Sequence, residues 1–383
     1  TDEPIDFELG SDDSYHVSVC FYDAAGNTHR VTKNVTVDTT KPSGNMELNR
    51  GERFATQSSV MVNLSTSADV IEMAILEVDT LEQTVDCDAR ADYRAINLSD
   101  WHDLSEGDGV KYLRTCLRDA AGNTRLLPSD AAYEVILDQT KPQAQAIVLN
   151  TGRHITNDTT LAVSLQAVDA TSGVTHFKLS AGENCNMGTW QEWSSGGDFL
   201  PQFRVAPVDH DMRSVSVRFR DAAGNKSDCI SDEILVDTAP LQMDIFELQG
   251  DEGNRPGFSN TERLRLSGVQ ATAPSDGGGT CAHFEISENR YFAPAEATDD
   301  CDSNHAYTLK DRTNNQMKSL FVRVVDSAGN FSEPVEQQIY LDYTGPELRS
   351  ATIERENGAN VVARVPFAHK RDLRVYLEYA GEP

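Results

Sequence analysis

The chain has 383 residues, 39% of them apolar and 25% charged, which is enough for globular cores and, at ~150 residues per domain, predicts two or three of them. A formal net charge of −28, from 33 Lys and Arg against 61 Asp and Glu, argues against nucleic-acid binding and favours cations such as calcium. No run approaches the ~18 apolar residues of a membrane span, and the lack of a basic-then-apolar leader predicts a mature or trimmed chain.

The predicted elements follow a repeat. The first strand, YHVSVCFYD, runs into the pentapeptide Asp23–Asn27, DAAGN, and a second strand, NVTVD, leads through Asp38 to Pro42. KYLRTCLRD then runs into DAAGN at Asp119–Asn123, followed by VILD and Pro142. The loop VDATSGV, Val168–Val174, precedes SVSVRFRD, DAAGN at Asp221–Asn225, ILVD and Pro240. SLFVRVVD leads to DSAGN at Asp326–Asn330, then IYLD and Pro346. Three final strands are expected: ELRSATIE, NVVARVPF at 360–367, and DLRVYLEY. Alternating apolar and polar positions rich in β-branched and aromatic residues read as half-buried strands. The AGN step supplies a turn, since Gly accepts positive φ and the leading Asp can cap it. Each motif therefore predicts a β-hairpin, and long helical periodicity is absent.

The motif recurs at intervals of 96, 102 and 105 residues. Units of ~100 residues with several short strands have the size and rhythm of immunoglobulin-like sandwiches. Boundaries at the prolines give 1–40, 41–140, 141–240, 241–345 and 346–383. These read as the C-terminal half of one domain, three full domains, and the N-terminal half of another. The predicted fold class is thus all-β, a tandem array of immunoglobulin-like β-sandwiches forming an elongated rod with short, Pro-stiffened linkers.

The pattern V-x-V-x-x-x-D-x-A-G-N followed by V-x-V-D-x-T-x-P resembles the bacterial immunoglobulin-like repeats of large surface adhesins. VDATSGV resembles the loop after the second strand in that family. The resemblance spans nearly the whole chain and implies an extracellular or cell-surface array that serves as a stalk. The cysteines depart from it, since many such repeats lack them.

Seven cysteines in such a chain predict disulfides within each unit: Cys87 with Cys116, Cys185 with Cys229, and Cys281 with Cys301, each worth ~3 kcal/mol. No C-x-x-C occurs, which speaks against zinc. Cys20 is left unpaired, because the partner equivalent to Cys87 falls before residue 1. One explanation is a window from a longer polypeptide. The other is a filament subunit whose front-half strands complete the back half of the next copy.

No G-x-S-x-G, H-E-x-x-H or Walker motif occurs, and the histidines, among them His102, His154 and His210, lack ligand spacing, so a non-enzyme is expected. Trp193 is expected in packing before sugar binding. One site has a geometric basis. In this sandwich the chain enters at the end where the B–C and F–G loops cluster, so each linker Asp should meet an Asp from both loops. The candidates for calcium are Asp38, Asp69 and Asp119; Asp138, Asp169 and Asp221; and Asp237, Asp276 and Asp326. The alternative is that each loop Asp caps its own turn and each linker Asp is solvated. No cofactor is required on this reading, and calcium is the optional one. The expected partners are neighbouring immunoglobulin-like domains, with any cell-surface or glycan receptor met elsewhere. The two function classes left are a structural stalk of an extracellular fibre, with the filament subunit as a variant, and carbohydrate-binding repeats of a secreted enzyme.

Overall fold

The computed structural model describes residues 6–194, 201–207, 210–250, 255–274, 279–293, 298–355 and 373–380. Among them regular structure is all strand, apart from single 3-10 turns at Asn49–Gly51 and Asn150–Gly152. The strand predicted at 360–367 lies outside the described residues. By backbone contacts the chain divides into two compact units. The first comprises Thr1–Thr151, Ala162–Phe203 and Ser214–Asp232; the second comprises Gly152–Leu161, Arg204–Arg213 and Glu233–Pro383. The division runs through the predicted piece 141–240.

The first unit opens with β1 (Asp13–Tyr22) and β2 (Thr28–Val37), antiparallel from Asp13 opposite Val37 to Tyr22 opposite Thr28. There follow β3 (Gly44–Leu48), β4 (Phe54–Ala55), β5 (Ser59–Thr66), β6 (Val70–Val78), β7 (Arg94–Ala95), β8 (Ser99–Asp103), β9 (Gly109–Asp119), β10 (Thr124–Leu127) and β11 (Tyr133–Leu137). They form one sheet in the order β3-β5-β8 and another in the order β4-β11-β9-β6-β7, with β10 also on β9. Alternation puts Val60, Val62 and Leu64 of β5 on the inner face, where they meet Met73, Leu113, Leu117, Val135 and Leu137 of the other sheet. Two sheets closed over one core make an immunoglobulin-like sandwich.

Its first strand changes sheets. Asn49, Arg50 and Gly51 all take positive φ between β3 and β4, and β4 then runs parallel to β11, Phe54 opposite Ile136. The Asn49 amide holds this crossover by donating to the carbonyls of Glu52 and Phe54. A two-residue strand carries no periodic signal, so the sequence did not reveal the switch.

Next come β12 (Gln143–Leu149), β13 (Ile155–Thr156), β14 (Thr160–Val168), β15 (Val174–Ala181), β16 (Gln191–Glu192), β17 (Gln202–Arg204), β18 (Asp211–Asp221) and β19 (Ile230–Val236). In the first unit β12 pairs with β14, and β15 pairs with both β16 and β18. In the second unit β13 runs parallel to β19, as β4 does to β11. Trp193 packs edge-on against Phe177 and Phe219, with ring centres 6.1 and 5.3 Å apart.

The second unit continues with β20 (Gln242–Met243), β21 (Glu247–Gln249), β22 (Phe258–Ser259), β23 (Arg263–Ser267), β24 (Ala271–Thr272), β25 (Cys281–Ser287), β26 (Thr298–Asp299), β27 (Asn304–Thr308), β28 (Gln316–Asp326) and β29 (Val335–Leu341). The sheets β21-β23-β27 and β22-β29-β28-β25-β26 repeat the pattern, with β22 parallel to β29 and a small β20-β24 pair beside them. Phe246, Leu264, Leu266, Phe284, Ile286, Leu320, Val322 and Ile339 fill this core. A last antiparallel pair joins β30 (Glu347–Arg355) to β31 (Leu373–Ala380).

The three disulfides are Cys87–Cys116, Cys185–Cys229 and Cys281–Cys301, with Cα separations of 5.6, 5.8 and 6.1 Å. Cys20 is free and exposed. Cys87–Cys116 lies outside the main core, in a small apolar cluster with Ala74 and Leu76.

Candidate cation site at the linkers

The site begins with the DxAGN turn, which has one geometry in all four copies. The backbone N–H of the leading Asp donates to the carbonyl of the Asn at 3.1 to 3.2 Å (Asp23, Asp119, Asp221 and Asp326). The Asn N–H donates back to Oδ1 of that Asp at 2.8 to 2.9 Å. The Gly has φ between 84° and 103° (Gly26, Gly122, Gly224 and Gly329), a region that side chains with a Cβ avoid. After the turn the chain returns unevenly. β10 pairs with β9 over four residues, whereas the copies at Asp221 and Asp326 show single bridges, Arg220 with Lys226 and Val325 with Phe331.

The Asn side chain has a second task that sequence reasoning missed. Asn123 Nδ2 donates to the carbonyl of Asp38 at 3.0 Å, Asn225 to that of Asp138 at 2.9 Å, and Asn330 to that of Asp237 at 2.9 Å. Each turn thus holds the linker that leads into it. In three copies the same amide also donates to Oδ2 of its own Asp: Asn27 at 2.7 Å, Asn123 at 2.9 Å and Asn330 at 2.9 Å. A tight turn needs only the Gly, so a fixed Asn in every copy was the available signal.

The linker Asp also caps its own bend. Oδ1 of Asp38, Asp138, Asp237 and Asp342 accepts the N–H of Thr40, Thr140, Ala239 and Thr344, respectively, at 2.8 to 3.2 Å. A second clamp comes from just ahead of the strand that carries DxAGN. Asp12, ahead of β1, accepts from Thr39 Oγ1 and Thr40 Oγ1, both at 2.8 Å. Asp108, ahead of β9, accepts from Gln139 N at 2.9 Å and from Thr140 Oγ1. Asn314, ahead of β28, accepts from Tyr343 N and donates to Thr344 Oγ1. The Thr39 hydroxyl holds the Asp12 carboxyl below its ordinary range, and the Thr140 hydroxyl does the same for Asp108.

Two of the three predicted carboxylate clusters are assembled. One oxygen each from Asp38, Asp69 and Asp119 lies within 4.8 Å of the others, and the same holds for Asp138, Asp169 and Asp221. They differ in their surroundings. In the second cluster Asp138 is 0% and Asp221 2% exposed, and Asp169 is half-buried. Oδ1 of each serves its own loop: Asp169 accepts from Thr171, Ser172 and Gly173, and Asp221 from Gly224 and Asn225. Oδ2 of all three is buried without a hydrogen-bond partner. Burial pushes the Asp221 carboxyl above its ordinary value, and the charge of Asp138 adds to the rise. In the first cluster Asp69 is exposed, and both oxygens of Asp119 are taken, Oδ1 by Ala121 and Asn123 N–H groups and Oδ2 by the Asn123 side chain.

Of the third set, Asp276 lies outside the described residues. Asp237 and Asp326 are both buried, and each has its carboxylate engaged. Asp237 Oδ2 lies 3.1 Å from His210 Nδ1, and Asp326 Oδ2 accepts from Asn330. The turn-capping alternative and the clustering therefore coexist, because the two oxygens of one carboxylate do different work. Three orphaned, buried carboxylate oxygens are costly unless a charge compensates them. An all-oxygen donor set of this kind suits a hard divalent cation, with backbone carbonyls or water completing six to eight ligands.

No protein-family profile matches the chain, and no curated protein is similar to it. Several solved structures match it at low identity and with TM-scores below 0.5. Fibronectin domains FN1–FN3 of chicken CNTN1 match over 79% of this chain and 99% of theirs, at 11% identity and a TM-score of 0.34. A 1.5-MDa bacterial ice-binding adhesin, studied for retention at the host cell surface, matches over 80% and 100%, at 12% identity and a TM-score of 0.34. A tetra-tandem repeat from the extending region of a large adhesion protein matches over 87% and 82%, at 14% identity and a TM-score of 0.26. The sandwich assignment itself rests on the strand pairings and cores described above.

Proposed function

We propose that this chain is a structural, non-catalytic stalk segment of an extracellular bacterial adhesin or surface fibre, and that calcium stiffens the linker at Asp138. The observation that carries the cation is the convergence of Asp138, Asp169 and Asp221, each with a buried Oδ2 that no protein group satisfies. The double clamping of the linkers supports a spacer role. Groups that fix a linker from both sides serve rigidity. The disulfides fit an oxidising, extracellular setting. No helix among the described residues is long and apolar enough to cross a membrane. Receptor contacts belong on this reading to regions outside the chain. The test is thermal melting with calcium and with chelator. A cation at a hundredfold excess over its Kd stabilises the repeat by about 2.7 kcal/mol, whereas an unchanged melting curve and no bound calcium by equilibrium dialysis refute the site.

A filament subunit is the second reading: on it, strands of another copy cover the face of the β1–β2 hairpin. Phe21 is 58% exposed and Val35 41%, while their register equivalents in the next repeat, Leu117 and Val135, are both 0% exposed. An isolated two-stranded hairpin is at best marginal in water, so this face calls for a cover. Sedimentation over a concentration series, with and without reductant, tests it: a ladder of multiples supports end-to-end assembly, and a single 42.1 kDa species at all concentrations rejects it.

A further inference from the structure

The linker at Asp237 is built differently from those at Asp38 and Asp138, and the differences are linked. The earlier linkers carry Thr40 and Thr140, whose hydroxyls are gripped by Asp12 and Asp108. At the third linker the corresponding residue is Ala239, which has no hydroxyl, and the clamp position ahead of β18 holds His210. The imidazole turns to the linker Asp itself, with Nδ1 3.1 Å from Asp237 Oδ2. Asp237 is fully buried, and Ala239 N–H occupies its Oδ1 at 3.1 Å. Both carboxylate oxygens are therefore satisfied by the protein, whereas Asp138 Oδ2, at the same step of its linker, is buried and orphaned.

We infer that His210 takes the place of the cation at the third linker: its N–H closes the Asp237 carboxylate and holds that linker without metal. The inference deepens the calcium reading and rests on it for the contrast with Asp138. The strand-leading clamp has thus exchanged an acceptor for a donor, and the buried Asp has exchanged an external charge for an internal hydrogen bond. One consequence is a chain whose linkers respond unequally to calcium, with the order set by which carboxylate oxygens the protein leaves open. The Asp138 linker, where three orphaned oxygens converge, its own Oδ2 among them, responds most. The more open Asp38 cluster responds less, and Asp237 does not respond.

Hydrogen-exchange mass spectrometry of the whole chain tests this, with calcium or chelator and with the variants His210→Ala and His210→Asn. Chelator is expected to speed exchange at least tenfold in peptides spanning Asp138, Asp169 and Asp221, and to leave peptides spanning 234–243 unchanged. His210→Ala is expected to speed exchange several-fold at 234–243 only. His210→Asn, which keeps a donor near the Nδ1 position, restores much of the protection. Equal calcium protection at Asp237 and Asp138 overturns the inference, as does a silent His210→Ala or a failure of His210→Asn to rescue. If chelator leaves both linkers unchanged, the calcium reading fails, and the His210 variants alone then decide whether the histidine holds the third linker.

Discussion

Truncating the turn asparagines gives three perturbations that differ by one hydrogen bond. In Asn123→Ala the chain loses Nδ2 contacts to the Asp38 carbonyl at 3.0 Å and to Asp119 Oδ2 at 2.9 Å; Asn330→Ala loses the same pair to Asp237 and Asp326. Asn225→Ala loses the contact to the Asp138 carbonyl, and no bond of full hydrogen-bond geometry joins its side chain to Asp221 Oδ2. At about 1 kcal/mol net per hydrogen bond, the losses are roughly 2, 2 and 1 kcal/mol. With a tenfold change for each 1.4 kcal/mol, amide exchange in the turn and its linker rises about 30-fold for Asn123→Ala and Asn330→Ala and about 5-fold for Asn225→Ala. Hydrogen-exchange mass spectrometry resolves the turns separately, and the rest of each repeat serves as an internal reference. If Asn225→Ala costs as much as the other two, the orphaned state of Asp221 Oδ2 is wrong. If none of the three alters exchange in the preceding linker, the clamp contributes nothing and the Asn serves its turn alone.

Two further outcomes follow from burial and charge. Val135→Ala removes two methyl groups from a filled core and is expected to cost about 2 kcal/mol in urea unfolding, whereas Val35→Ala at the matching register position stays within about 0.5 kcal/mol. A costly Val35→Ala would show instead that the hairpin face is covered in solution. The pH response depends on the sign of each shift. Asp221, raised by burial, contributes stability that is complete below its unfolded value and lost as pH rises through its folded value. Chelated protein is therefore expected to protect the Asp221 turn better near pH 4 than at neutrality, and Asp221→Asn should flatten that slope. Asp108 is lowered by the Thr140 hydroxyl, so its contribution is complete above its unfolded value and is lost only as pH falls through the folded one.

The parts of the fold that were legible share a physical cause: they obey a period or a turn rule. β18 alternates apolar and polar residues and β1, β9 and β28 do so over part of their length, Gly26, Gly122, Gly224 and Gly329 mark turns that need positive φ, and six of the seven cysteines fall in pairs within one repeat. The carboxylate clusters were legible because the sandwich fixes which loops share an end, and Asp69 and Asp169 stand at the same place in their repeats. What was not legible lies in short or aperiodic pieces. β4, β13 and β22 have two residues each, too few for alternation to appear. Asp12, Asp108, His210 and Asn314 sit in loops ahead of strands, and their partners are some 27 to 32 residues away in sequence. Nothing local distinguishes such a residue from any solvated polar side chain. The inequality of the linkers was also hidden, since it depends on which oxygen of each carboxylate the fold leaves free.

The sheet-switching first strand has a mechanical consequence. A pull along the chain reaches the second repeat through the linker ahead of β3 and leaves it through the linker after β11. Because β4 runs parallel to β11, with Phe54 beside Ile136 and Ala55 beside Leu137, that pull loads their hydrogen bonds together in shear and does not peel them singly. Should the patch give way, the disulfide sets the next limit. The 29-residue separation of Cys87 and Cys116, about 100 Å of extended chain, stays out of reach of the force until the bond is reduced. The parallel patch would thus act as a latch and the disulfide as a stop on extension.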